Sequence, residues 1–438
     1  MSQFRFARLA LMLAAIGLNA APALMHSASA QNKDAAAAAQ PPADSVRPEL
    51  FKLLDPAQIK PLMDAKNYTE VKNRVTQAEA VQNRTPYENY VLNRMKLSLA
   101  TATNDDAGQT AALEAILASG KLPAADQANF TQALAGSYYN AKNYPKAIEW
   151  YTQFQTKFPQ QAATVNAPLV RSYYLSGDYA TSVKLLRPMI EAADQAGKAP
   201  PSDELRMYAS AANKVKDDAG YLYGLEKLAA YYPTDDYWTD VISRGVFRRP
   251  GFNQDVFITD ALRLQFASVQ KMSPEGYADL AELALKDGFP SEAKKVMDAG
   301  FAAGVLGTGG NAAKDKQLRD RANKEAANDA KNIAAGEASA AKSKTGAGLV
   351  NLGWAYVTMD QFDKGIGFIE QGIAKGGLKS PDEAKLRLGM AYAQAGRKDQ
   401  AIKTFETVKG SGGASDLAKY WILLVNHPAK GGAVAAAQ

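Results

Sequence analysis

The chain has no cysteine among its 438 residues and only two histidines, His26 and His427. Without a thiol there are no disulfides, thiolate zinc sites, iron–sulfur clusters, cysteine nucleophiles or bacterial lipid-anchor cysteine. His26 falls in a segment expected to be removed, so a histidine metal site has no second ligand. Beyond residue 30 no stretch is apolar enough to cross a bilayer, and no run alternates apolar and polar residues in the manner of a strand. A strong charge of one sign is also missing. Lys and Arg number 51 against 45 Asp and Glu, a net charge of +6, and the two signs interleave, whereas a nucleic-acid binder gathers its bases on one face. What the chain does have is 47% apolar and 22% charged residues, the proportions of a folded protein with a large core.

Residues 1–30 have the pattern of a secretory signal. Arg5 and Arg8 open it, Leu9 to Met25 form the apolar stretch, and Ala28-Ser29-Ala30 is an A-x-A cleavage site. Loss of the two arginines, with no acid before residue 31, would lower the net charge from +6 to +4. The mature protein is expected outside the cytoplasm, in the periplasm first and secreted as the alternative. Residues 31–48, rich in Ala, Gln, Pro and Asp, read as a flexible tether with little to bury.

From Leu50 onward helical patterns follow one another between short Gly, Asp, Asn or Pro breaks. The sequence also repeats itself. Leu134, Tyr138, Tyr139, Tyr144, Ala147 and Tyr151 return 35 residues later as Leu169, Tyr173, Tyr174, Tyr179, Ser182 and Leu186. Leu352, Gly353, Tyr356, Gly365 and Ile369 return 36 residues later as Leu388, Gly389, Tyr392, Ala401 and Phe405. Leu and Tyr four apart share one face of a first helix. A glycine break such as Gly177 or Gly396 ends it. A small and then a large apolar residue four apart, as in Ala147 with Tyr151, let a second helix approach closely and fill the space against the next pair. Pro159 stops that helix.

This spacing resembles the tetratricopeptide repeat family, a helix-turn-helix unit of about 34 residues with Leu-Gly, Tyr, Ala, Phe and Pro at set places. The likeness is good over 129–196 and 347–412 and partial around Leu280, Gly288, Ala293 and Met297, Leu225 and Pro233, and Tyr68 and Val71. The tryptophan of the first helix is absent from its usual place. The expected fold is all-α: an α-solenoid, or superhelix, of roughly eight to ten stacked antiparallel hairpins at that repeat length. The expected organisation is a repeat array over 49–302, a Gly-rich then Ala/Lys-rich linker helix over 303–346, further repeats over 347–425 and a loose tail over 426–438. The resemblance implies a concave wall made of first helices, which places Gln132, Tyr139, Asn140, Arg171, Tyr174, Trp354 and Thr358 as the residues to meet a partner. Tyr138 and Tyr173 read as packing residues, as do Tyr221, Tyr223, Tyr231, Tyr232, Tyr237 and Trp238.

Catalytic signatures do not assemble. Gly304 to Gly310 lacks the following Lys-Ser/Thr and the preceding strand of a phosphate loop. Ser339-x-x-Lys342 with Lys344-Thr345-Gly346 imitates serine acyl-enzyme motifs without the S-D-N element, and Ser291 to Lys294 and Ser268 to Lys271 repeat the coincidence. The pairs Asp105-Asp106, Asp217-Asp218 and Asp235-Asp236 sit at breaks, where Asp caps helices, while glycoside hydrolysis needs carboxyls facing one another across a sugar. Arg244, Arg248 and Arg249 read as a solvated edge. The sequence therefore points to a non-catalytic exported scaffold that binds a protein or peptide segment in a cell-envelope complex, with no cofactor and no metal. A solute- or glycan-binding accessory protein is the alternative, followed by an unrecognised cell-wall enzyme.

Overall fold

The computed structural model describes residues 44–428. The expected export signal, residues 31–43 of the tether and the end of the tail from 429 lie outside the described residues. Among the described residues the chain is all-α, with no strand, and divides into two compact units, one ending at Ser182 and the other beginning at Val183.

In the first unit Pro48–Leu54 (α1), Pro56–Asp64 (α2) and Tyr68–Ala80 (α3) precede the hairpins. Pro86–Thr103 (α4) pairs with Asp106–Ala118 (α5), and Ala124–Asn140 (α6) with Tyr144–Lys157 (α7). Asn166–Ser176 (α8) follows, and the boundary between units falls within Tyr179–Gln195 (α9). Packing begins ahead of α1, where Ser45 and Val46 are already buried. The backbone N–H and guanidinium of Arg47 both donate to the fully buried Glu88 of α4.

The second unit contains Ser202–Lys214 (α10), Asp218–Tyr231 (α11), Asp235–Ile242 (α12), Gln254–Ser268 (α13), Pro274–Lys286 (α14) and Pro290–Ala302 (α15). Ala312–Asn332 (α16) and the short Glu337–Lys342 (α17) occupy the Ala/Lys-rich stretch, where α16 packs on α15 and α14 through the buried Ala322 and Ala326. Ala347–Thr358 (α18), Phe362–Lys375 (α19), Pro381–Gln394 (α20), Lys398–Glu406 (α21) and Ala414–Asn426 (α22) complete it.

The repeated template is what packs. The 35-residue offset maps onto α6–α7 and α8–α9, and the 36-residue offset onto α18–α19 and α20–α21. Ala147, Ser182, Gly365 and Ala401, the small residues of the second helices, are buried together with Tyr151, Leu186, Ile369 and Phe405. The template demands smallness at Gly353, where a Cβ would stand 2.5 Å from the Gly365 carbonyl oxygen. Two helices with no side chain at their crossing bring backbone against backbone. Gly177 ends α8 at φ +88°, as the break required, and Lys142 occupies the corresponding left-handed position after α6.

Two of the three acidic pairs cap helices: the carboxylates of Asp105 and Asp217 accept from Gly108 and Gly220 N–H. At the third, Thr234 is the cap and Asp235 instead accepts from the backbone of Gln270 and Lys271. Arg244 lies over the Tyr221 ring and Arg249 reaches Asp416. One feature departs from simple nearest-neighbour stacking. Within the second unit α22 packs on α21 and α20 and also on α11 and α13. Lys419 and Tyr420 of α22 both donate to Glu226 of α11, so this unit closes on itself.

Candidate functional site

Five of the seven expected wall residues lie on α6 and α8, the first helices of consecutive hairpins. The Arg171 guanidinium of α8 acts on the Tyr139 phenol of α6, so the charge of one helix reaches the ring of the other. Burial raises the Tyr139 phenol above its ordinary pKa, with Arg171 opposing. Each hairpin repeats the same aromatic arrangement: Tyr139 meets Tyr144 edge-on at 5.9 Å between ring centroids, and Tyr174 meets Tyr179 at 5.3 Å. Half-buried rings held on one side offer a flat apolar face and a hydroxyl at little further loss of side-chain entropy. Gln132 is half-buried and Asn140 exposed on the same helix. Tyr138, read as a packing residue, is half-buried, joins the surrounding core clusters and donates to Glu114, which with burial pushes its phenol up to about 12.

Trp354 and Thr358 are a correction. Both are buried, because α15 and α20 cover the face of α18 that carries them. The Thr358 hydroxyl turns back to the Ala355 carbonyl at 2.7 Å. Trp354 belongs instead to a buried charge network whose members, on α13, α15 and α18, are too far apart in sequence to form a motif. Arg263 of α13 forks onto Glu292 of α15, Nε to Oε1 at 2.7 Å and Nη2 to Oε2 at 2.8 Å, while its Nη1 reaches Asp260 at 2.7 Å. The Trp354 indole N–H donates to the same Glu292 at 3.2 Å, and its ring lies 4.9 Å below the Arg263 guanidinium. Burial alone would raise Glu292, but the Arg263 charge and hydrogen bonds, aided by Trp354 and Arg387, hold it below the usual carboxylate range.

Beside this network α13 and α14 face α18 and α20 across a cavity of about 980 Å³. Arg387 and Glu383 of α20 line it together with Asn351 of α18. Arg387 donates to Asn351 at 2.8 Å and to Glu383, while its Nε has no acceptor. Burial raises the Glu383 carboxyl above its ordinary value. Asp260 and Asp287 push in the same direction, and Arg387 and Arg263 oppose. Lys286, Lys379, Asp255 and Asp287 supply further charge, and Val256, Ile258, Leu283 and Val350 the apolar wall. A second cavity of about 850 Å³ adjoins it through Gln254, Ile258, Leu283 and Lys286. Among the described residues no group of three His, Cys, Asp or Glu is placed to hold a metal ion, and no helix is long and apolar enough to cross a membrane.

The tetratricopeptide repeat family model matches residues 383–410. This stretch is similar to a tetratricopeptide repeat. It spans α20 and α21, the hairpin that carries Glu383 and Arg387 at its start. No curated protein matches the chain. Among solved structures, it is similar to the TPR2AB domain of yeast Sti1, from a complex with pHSP90, at 15% identity and a TM-score of 0.22, covering 69% of this chain and 99% of that one. Yeast Tom70 matches at 11% identity and a TM-score of 0.23 over 86% and 94% of the two chains. The TPR domain of P58(IPK) matches at 12% and 0.22 over 86% and 98%.

Proposed function

We propose that the protein is an exported, non-catalytic scaffold that holds an extended segment of a protein partner against the first helices of its N-terminal hairpins, within an assembly of the cell envelope. The observation that carries this is the repeated aromatic pair, Tyr139 with Tyr144 and Tyr174 with Tyr179 one hairpin on, with the Arg171 charge of α8 acting on Tyr139 of α6. A polar and aromatic strip that crosses from one hairpin to the next suits a chain lying across them, because the tyrosines contribute area and the polar groups fix register. Export rests on the signal pattern of residues 1–30, and the envelope on that export. The non-catalytic reading is supported by the likeness of residues 383–410 to a tetratricopeptide repeat and by the failure of any motif to bring nucleophile, base and oxyanion donors together.

The test is cross-linked pull-down from envelope extract with the mature wild-type chain and with a Tyr139→Ala/Arg171→Ala/Tyr174→Ala variant whose circular dichroism is unchanged. A stoichiometric protein partner held by the first and lost by the second is the expected result. A partner retained equally by both would refute the assignment of the wall, and turnover of a labelled envelope substrate would refute the absence of catalysis.

A further inference from the structure

The cavity lies within the C-terminal unit, and its charges pose a chemical question of their own. Its wall carries Asp255, Asp287 and Glu383 against Lys286, Lys379 and Arg387, and the network beneath adds Asp260 and Glu292 against Arg263, so that carboxylates exceed cations by one. A cation is therefore missing. Yet Arg387, whose side chain is nine-tenths buried, has an Nε with no acceptor, so an acceptor is missing too. Leaving either group unmatched in a partly dry cavity is costly. A purely anionic ligand would face Glu383, Asp255 and Asp287. A purely cationic one would leave the Arg387 donor unmatched, and a neutral sugar would balance no charge.

We propose that this cavity binds short peptides with free ends, the carboxylate toward Arg387 and the ammonium toward Glu383 and Asp287. At about 980 Å³ it lies at the upper end of the range of about 300–1,000 Å³ typical of small-molecule pockets, more than a single amino acid fills. The apolar wall of Ile258, Leu283 and Val350 takes a side chain between the two charged ends. The charge network beneath, locked by Arg263, Glu292 and Trp354, holds the floor rigid before the ligand arrives, which lowers the ordering cost of binding.

The site is tested with the full mature chain, using as probe a mixed-sequence library of free-ended tri- to pentapeptides and the same library acetylated and amidated. The expected result is a rise in Tm with the free library and none with the blocked one, since ligand binding to the folded state alone raises Tm. Mass spectrometry of the co-eluting peptides then shows them enriched at least about tenfold over blocked ones, as loss of a charge-assisted contact requires. Ala347→Trp, at an exposed position on the cavity lip, abolishes the shift, and Glu383→Gln removes the penalty for acetylation while keeping that for amidation. Equal shifts with both libraries, no shift with either, or a shift that survives Ala347→Trp in a folded chain would each overturn the proposal. The triple change on the N-terminal wall leaves this binding intact, so the two sites fail or stand separately.

Discussion

Arg263 and Glu292 are joined by two parallel hydrogen bonds of 2.7 and 2.8 Å, with only 4% of the arginine side chain exposed. A pair so far from water contributes mainly through the penalty of breaking it. Removing one member leaves an uncompensated charge in the core, at a cost of about 3–5 kcal/mol, whereas replacing the whole set with apolar residues of similar volume is nearly neutral. Arg263→Met should therefore lower stability by about that amount in urea unfolding, because Glu292 and Asp260 both lose their partner. Asp260→Leu/Arg263→Met/Glu292→Leu should recover most of the loss. The exposed pair Arg321–Glu325 is the contrast, and Arg321→Ala should change stability by less than about 1 kcal/mol. A triple variant no more stable than Arg263→Met would show that the network is needed for more than charge balance.

The hairpins were legible because their information is local. A Leu and a Tyr four apart, then a glycine break, then a small and a large residue four apart fix one helix pair without reference to the rest of the chain, and Tyr356, Gly365 and Ile369 are buried as that spacing implies. Trp354 failed as a wall residue because its fate depends on Glu292, 62 residues earlier. Arg387 is flanked in sequence by Leu386 and Leu388 and shares its helix face with Ala384, Met390 and Ala391 as well as Glu383. A charge so placed is a signal of burial and Glu383 four residues earlier is a local partner, but Asn351 and the cavity emerge only when α18 and α20 meet α13 and α14. The return of α22 to Glu226, some 193 residues back in the chain, is equally non-local.

Closure of the C-terminal unit by α22 has its own signature. Glu226 accepts from both Lys419 and the hydroxyl of Tyr420, the latter at 2.9 Å, and Tyr420 is buried. Glu226→Ala should leave that hydroxyl unsatisfied, at about 1–3 kcal/mol. Hydrogen exchange should show faster opening of α22 with little change in α18 and α19. Uniform acceleration across the unit would mean that α22 is not a separable clasp.

Glycines within one helix hairpin should respond in opposite directions to the same substitution. Gly353→Ala drives a methyl to 2.5 Å from the Gly365 carbonyl and 2.6 Å from Ile369 Cγ1, and backbone cannot yield as a side chain tip can. A loss of about 1–3 kcal/mol is expected, as in overpacked cores. Gly367 lies in α19 with nothing within 4 Å of an added Cβ, so Gly367→Ala should stabilise by about 0.5–1 kcal/mol through the unfolded chain. Thermal unfolding of the two variants decides it, and destabilisation by both would mean that the open side of α19 at Gly367 tolerates no added methyl either.

The last histidine gives the fold a pH dependence whose sign is fixed. His427 ends α22 and meets Tyr231 edge-on at 5.2 Å, while Tyr231 donates to Asp194 and Lys227 pairs with the same carboxylate. Burial lowers the His427 imidazole below its ordinary value of 6.5, Lys227 and Lys398 add to that and Asp194 opposes. Between that lowered value and 6.5 the unfolded chain binds more protons than the folded one, so stability rises with pH there and is lost as pH falls through 6.5. The ring is half-exposed, which keeps the effect small. His427→Gln should remove it: from pH 7.5 to pH 5.5 the wild-type urea midpoint should fall further than that of the variant. Equal falls would place the whole acid response on carboxylates such as Glu292 and Asp194, whose lowered values act mainly below their ordinary range near 4.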